Sequence, residues 1–235
     1  MHLFYNENLE SDILELSREE SRHCVKVLRL KAGDAVAFTD GKGTFCKASL
    51  TEAHPNTCIA SVTEREQKRQ DRPFHLHLAV APTKNIDRME WLLEKATECG
   101  FDEFTPLICS QSERKTIKPD RLQRIMISAM KQSQRHFLPT LNPSIRFFDF
   151  LKKEPIGNKF IAHCEQGEKK HLNKLYQAGE DVVMLIGPEG DFDSEEIQAA
   201  LDSGFKPVSL GEYRLRTETA ALTSCIHFNI MNKIL

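Results

Sequence analysis

Two rhythms of apolar and polar positions run along the chain. Up to about residue 70, short strand-like runs are punctuated by turn residues. Ala35–Thr39, Thr44–Thr51 and Thr57–Thr63 are separated by Asp40-Gly-Lys-Gly43 and His54-Pro-Asn56, with Gly33-Asp34 leading in. Ser17 followed by Glu20 has the capping-box spacing and predicts a short helix ahead of them. Short strands at this spacing predict a small β-barrel. The polar stretch Gln67–Pro73 predicts a boundary, with units at 1–70 and 73–235.

From Phe74 the rhythm changes. Phe74–Ala81, Phe104–Cys109, Lys159–His163, Asp181–Ile186 and Pro207–Leu210 read as strands. Between them, Ile86–Cys99 carries apolar residues at helical spacing and is stopped by Gly100. Pro119–Phe137, Lys169–Ala178, the segment capped by Asp193 and Glu196, and Thr217 onward also read as helices. Trp91 falls within the first of these helices and is expected in the core. Strands alternating with helices predict an α/β domain with a mostly parallel sheet.

Composition narrows the class. An apolar share of 40% and a charged share of 28% are those of an ordinary soluble globular protein. No apolar run is long enough to span a bilayer, and the N-terminus does not read as a signal peptide. Seven cysteines, with no Cys-x-x-Cys pair, argue against a disulfide framework or a zinc site and fit a reducing cytoplasm. His75 and His77 share one side of a strand, but no third ligand is evident, so no metal is expected. A net charge of -2 argues against a general nucleic-acid coat. One local exception exists: Glu113 to Arg135 holds seven Lys/Arg against two acids, and is the first place to look for RNA.

Ligands of open parallel sheets gather at the carboxyl ends of strands. That rule selects three loops, after Ile161–His163, after Met184–Ile186 and after Val208–Leu210. The second, Gly187-Pro-Glu-Gly190, offers a rigid turn on which a ligand can approach the backbone closely. Taken alone it is equally an ordinary strand-to-helix connection. It is neither a P-loop nor a dinucleotide fingerprint. The third runs from Leu210 to Ala220 and places Arg216 before a helix starting at Thr217. A cation there opposes the helix dipole. Glu218, Glu189, a cofactor carboxylate or an RNA phosphate would balance it. Gln132 and Arg135, three apart, are expected on one helix face.

These motifs, taken in order, resemble the RsmE family, the small-subunit ribosomal RNA uridine N3-methyltransferases of the SPOUT (trefoil-knot) superfamily. The resemblance rests on His23-Cys-Val-Lys-Val-Leu-Arg29 with Gly33, and on Lys84, Met89-Glu90 and Glu94–Glu98 with Gly100. It continues through Ser112-Glu-Arg114, Gln132-Ser133, Arg135 and Pro139, then Ile186–Gly190 and Leu215–Ala220. Two positions depart from the family pattern: Asp191 stands where a second glycine is usual, and Tyr213-Arg214 where Arg-Ile is usual.

The resemblance implies a PUA-like β-barrel at the N-terminus and a SPOUT-type knotted α/β domain with a mostly parallel sheet. It implies S-adenosylmethionine as cofactor, touched by His163, Cys164, Ile186, Gly187, Pro188, Glu189, Gly190, Leu210, Gly211, Arg214, Leu215, Arg216 and Thr217. RNA contacts are expected from Arg22, His23, Arg29, Lys84, Lys115 and Gln132, and Arg114 and Arg135, cations in matched motifs of the basic segment that would favour an anionic base, are the candidates for holding the uridine and its phosphates. The partners implied are ribosomal RNA or the small ribosomal subunit and a second copy of the chain, in the cytoplasm. A non-catalytic RNA-binding or ribosome-assembly protein on the same fold, and a ribose 2′-O-methyltransferase, are the alternatives.

Overall fold

The computed structural model describes all 235 residues, Met1–Leu235. The chain divides into two compact units. One is Met1–Asp71 with Ile127–Leu138; the other is Arg72–Met126 with Pro139–Leu235.

The first unit begins with strands β1 (His2–Tyr5) and β2 (Ile13–Glu15), helix α1 (Arg18–Arg22) and a π-helical turn at His23–Val27. Three strands follow: β3 (Ala35–Thr39), β4 (Thr44–His54) and β5 (Thr57–Gln67). They form one sheet in the order β1-β3-β4-β5-β2, with β1 parallel to β3 and the other pairs antiparallel. Phe4, Leu14, Val36, Phe38, Cys46, Leu50 and Cys58 build its core. Alternate residues of β4 fill that core, which is why the period of two is legible there. Asp40 shapes the β3–β4 turn by accepting the N–H groups of Lys42 and Thr44 at 2.7 and 3.0 Å. Gly43 sits in this turn at φ +99°, and a Cβ there would lie 2.7 Å from the Phe137 ring. Only glycine admits this approach.

The second unit continues with β6 (Leu76–Val80), α2 (Ile86–Cys99), β7 (Glu103–Ile108) and α3 (Pro119–Gln132). Of α3, the part up to Met126 counts with this unit and the remainder with the first. Then come β8 (Thr140–Leu141), β9 (Ile145–Arg146), α4 (Phe147–Leu151), β10 (Asn158–Ala162), β11 (Lys170–His171), a 3-10 turn at Leu172–Lys174 and β12 (Val182–Ile186). The chain closes with α5 (Ser194–Asp202), β13 (Lys206–Ser209) and α6 (Thr217–Met231). The sheet order is β11-β13-β10-β12-β6-β7-β8, with β9 also on β7, and every pair is parallel. The central strands β6 and β12 are buried along their whole length, as strands covered on both faces must be. Ala79, Ile161, Val183 and Leu185 pack with Phe147 and Phe150 of α4 and Ile197 and Ala200 of α5. The alternate residues serve the other face, where α6 packs on α2, β6 and β12 and Phe160 stacks on Phe228 at 6.0 Å.

Several sequence expectations change. Lys169–Ala178 is not a helix: Lys170 and His171 pair with Val208 and Ser209 at the sheet edge, and only a 3-10 turn follows. A segment this short gains little as a helix, and the edge pairing satisfies its backbone instead. Helix α3 ends at Gln132, not Phe137. Gln134 takes φ +56°, and the N–H groups of Gln134 and Arg135 bond back to Lys131 and Met130. This is a Schellman end. Arg135 therefore lies beyond the helix and shares no helical face with Gln132. Trp91 is 44% exposed, because the buried stripe of α2 runs through Met89, Leu92, Leu93 and Ala96. At Ser17 only half of the capping box forms: Ser17 accepts the Glu20 N–H, while the Glu20 carboxylate pairs with Lys131. The box at Asp193 and Glu196 is complete. The edge strands β1, β2, β8 and β9 and helix α4 carry signals too short to read in sequence.

Candidate functional site

Strand order decides the site. β13, β10 and β12 are neighbours and run parallel, so their three carboxyl-end loops open side by side at the same end of the sheet. Between them lies a cavity of about 790 Å³, within the range of small-molecule sites. Of the residues expected to touch a cofactor, His163, Cys164, Ile186, Gly187, Pro188, Glu189, Leu210, Gly211, Arg214, Leu215, Arg216 and Thr217 line it. Gly190 does not. Asp191, Tyr213 and Lys169 join the wall; the first two were visible in sequence only as departures from a pattern, and Lys169 was hidden in the expected helix.

The two glycines of the turn serve packing within the protein. A Cβ on Gly187 would lie 3.1 Å from the backbone nitrogen and ring of Phe192. A Cβ on Gly190 would lie 3.1 Å from that of Gln111. Their small size thus lets this turn seat on its neighbours, rather than directly making room for a ligand. Thr217, the first residue of α6, donates its hydroxyl to the Gly187 carbonyl at 2.9 Å and fixes the turn to the helix.

Three polar features of the cavity lack a partner within the chain. The Nδ1 atom of His163 is buried and makes no hydrogen bond. Burial, and then the Lys169 ammonium, hold this imidazole below its ordinary pKa, so it is neutral at pH 7. Arg214 and Arg216 are exposed on the third loop, and neither forms an ion pair. The two carboxylates that sequence offered to Arg216 are engaged elsewhere. Glu218 turns inward, 3.8 Å from Arg88, and Glu189 accepts the Lys84 N–H at 2.9 Å. A neutral acceptor or donor at His163 and uncompensated cations on the rim suit a ligand with a polar heterocycle and a carboxylate.

A braced ledge adjoins this turn. Glu189 fixes the backbone at Lys84, and the Lys84 ammonium pairs with Glu113 at 2.7 Å. Arg114 donates from Nε to the Thr83 carbonyl at 3.1 Å and from Nη2 to the Lys84 carbonyl at 2.7 Å. The loop that carries it is held from below: Ser110 donates its N–H to the buried Glu196 carboxylate at 2.8 Å, and Cys109 to the Ser112 hydroxyl at 3.0 Å. Lys84 and Arg114 thus stand on one scaffold with Glu189 of the cavity wall, and Lys115, next in the chain, is exposed beside Arg114. Gln132, Arg135, Arg22, His23 and Arg29 belong to the other unit. There Arg22, His23 and Arg29 are exposed on α1 and the turn after it.

A second cavity, about 620 Å³, lies at the amino ends of β6 and β7, around His75, His77, Glu103 and Thr105. His77 is 2.7 Å from the Thr105 hydroxyl and 3.6 Å from Glu103. Burial outweighs the carboxylate and pushes the imidazole down to about 4, so it is neutral and the contact with Glu103 is no ion pair at pH 7. No three His, Cys, Asp or Glu side chains converge in a way that would hold a metal ion.

Known proteins share this arrangement. An RNA methyltransferase domain model matches residues 70–229, and an RNA methyltransferase PUA domain model matches residues 16–63. The ribosomal RNA small subunit methyltransferase E of Aquifex aeolicus is 31% identical over 95% of this chain and 96% of its own length. A probable rRNA-methyltransferase from Porphyromonas gingivalis superposes with a TM-score of 0.92 at 40% identity, covering 99% of each chain. A ribosomal RNA small subunit methyltransferase E from Neisseria gonorrhoeae, bound to S-adenosyl methionine, superposes at 0.86 with 29% identity over 98% of this chain and 97% of that one.

Proposed function

From the premise that the chain belongs to the ribosomal RNA small subunit methyltransferase E family, we propose that it methylates N3 of a uridine in 16S ribosomal RNA, with S-adenosylmethionine as donor. The observation that carries this reading is the cavity at the ends of β13, β10 and β12, with its partnerless His163 Nδ1 and unpaired Arg214 and Arg216. A cofactor with an adenine ring and a carboxylate supplies partners for both. His163, Cys164, Ile186–Gly190 and Leu210–Thr217 would hold it, in a chain path that we read as the trefoil knot of this superfamily.

The cofactor brings an activated methyl group, so the protein's task lies with the acceptor. Orientation of both reactants supplies much of the rate. Uracil N3 carries a proton at pH 7, and nearby cations favour the deprotonated base. Arg114 is suited to this, because two backbone carbonyls fix its guanidinium while its remaining N–H groups stay available. Arg135 is assigned the second contact to the uridine or its phosphate. Lys84, Lys115 and Gln132 would guide the strand, and the N-terminal unit, with Arg22, His23 and Arg29, would hold flanking RNA.

The enzyme is proposed to act in the cytoplasm as a homodimer, in which each site is completed by the partner. Half-exposed Trp91 and exposed Ile230, on the helix pair α2 and α6, offer apolar surface for a second copy. No helix is long and apolar enough to cross a membrane.

Incubation of unmodified small ribosomal subunits with labelled donor, followed by mapping of the modified nucleoside, tests the proposal. Label on uracil N3 is expected. Label on a ribose oxygen would move the assignment to the 2′-O class, and no incorporation together with no cofactor binding would leave an RNA-binding protein. Arg114→Ala is expected to lower methyl transfer about 100- to 1000-fold, by loss of one preorganised cation. Near-wild-type transfer by both Arg114→Ala and Arg135→Ala would overturn the roles given to them.

A further inference from the structure

We propose that Asp191 is a positioning residue that ties two cofactor-facing loops together and sets the cavity before the cofactor arrives. The inference rests on the reading that this cavity takes S-adenosylmethionine. Asp191 follows the Gly187–Gly190 turn at a place where the family resemblance calls for glycine. Its backbone shows why: φ is +70°, the left-handed region that glycine enters freely and that Asn and Asp tolerate best among the rest. A side chain kept at such a position needs compensation from its surroundings.

Two hydrogen bonds supply that compensation. One carboxylate oxygen of Asp191 accepts the Cys164 N–H at 2.6 Å, and the other accepts the Phe192 N–H at 2.9 Å. The first bond crosses from the turn after β12 to the loop after β10. That loop, residues 163–169, lies between strands β10 and β11 and takes part in no backbone-to-backbone turn hydrogen bond. The loop is also tied to the first residue of α5, whose Ser194 hydroxyl donates to the Glu165 carboxylate at 2.5 Å. Around Gly167 the space is open. Asp191 therefore holds the base of the loop, beside His163 and Cys164, both of which line the cavity. A glycine at 191 would relax the backbone but release this base.

Two consequences separate this role from simple folding. Asp191→Gly relieves the left-handed backbone, so its Tm should match or exceed that of the wild type. Its cavity, however, is populated in the competent form only part of the time, and apparent affinity falls by that fraction. Calorimetry with S-adenosylmethionine and with S-adenosylhomocysteine on the full chain is expected to show both binding roughly tenfold more weakly to Asp191→Gly. Hydrogen exchange at the Cys164 amide should be faster in the same variant. Asp191→Asn keeps an oxygen acceptor and tolerates the same backbone, so it should bind both ligands within about threefold of wild type.

Wild-type affinity in Asp191→Gly would overturn the tether while leaving the cofactor reading intact. A loss in Asp191→Asn as large as in Asp191→Gly, confined to the positively charged S-adenosylmethionine, would assign the residue an electrostatic role instead. A wild-type protein that bound neither ligand would remove the cofactor reading and this inference with it.

Discussion

At the scale of single residues, the site is held by hydrogen bonds that cross between loops. Thr217 is buried, and its hydroxyl is the one side-chain link from α6 to the Gly187 carbonyl. Thr217→Val keeps the shape and removes the donor. It is expected to cost about 1–2 kcal/mol in chemical denaturation, because a buried carbonyl loses its partner. Cofactor affinity should fall with it, and an unchanged denaturation midpoint would show that the bond contributes nothing. Arg216 was legible as a cation misplaced at a helix start. Which anion answers it was not, because Glu218, two residues on, and Glu189, in the neighbouring loop, both turn elsewhere.

At the scale of elements, local signals worked where they were self-contained. The complete capping box at Asp193, the apolar stripe of α2 and its stop at Gly100 depend on residues a few positions apart. The end of α3 was misplaced because its stop signal is a glutamine in a glycine's conformation. Gln134→Gly should therefore stabilise the protein by roughly 0.5–1 kcal/mol, seen as a higher Tm, since the Schellman end is kept and the left-handed residue no longer carries a Cβ. A lower Tm would mean that the Gln134 side chain matters more than its backbone. Trp91 shows the complementary error. It lies within a helical apolar pattern, but one position off the stripe turns it to the surface.

At the scale of the whole molecule, pH enters through a group remote from the proposed chemistry. His77 is held neutral by burial, with its pKa lowered from 6.5 to about 4. Between these values the unfolded chain binds more protons than the folded one, so stability falls as pH falls from 6.5 toward 4. The full contribution is present above pH 6.5, and its loss amounts to about 3 kcal/mol. His77→Gln can still bond to Thr105 and does not titrate, so its stability should change less across this window. Equal slopes for the two proteins in urea titrations would show that His77 is not the group responsible.

By itself, the sequence determined the starts of α2, α3, α5 and α6, the turn residues, the alternation of β4 and the order of the motifs that identify the family. Each of these is a relation between near neighbours or between types of residue in a row. The parallel sheet could be read as a class, but not as an order of strands. Only the tertiary structure put β13, β10 and β12 side by side and turned three loops, spread over some fifty residues, into one cavity. It also decided that Lys170 and His171 pair with β13 instead of forming a helix, and that the side chain of Asp191 crosses to Cys164. The physical reason is common to all three. Parallel pairing and loop-to-loop hydrogen bonds join partners far apart in the chain, and local propensity yields wherever such a partner satisfies the backbone better.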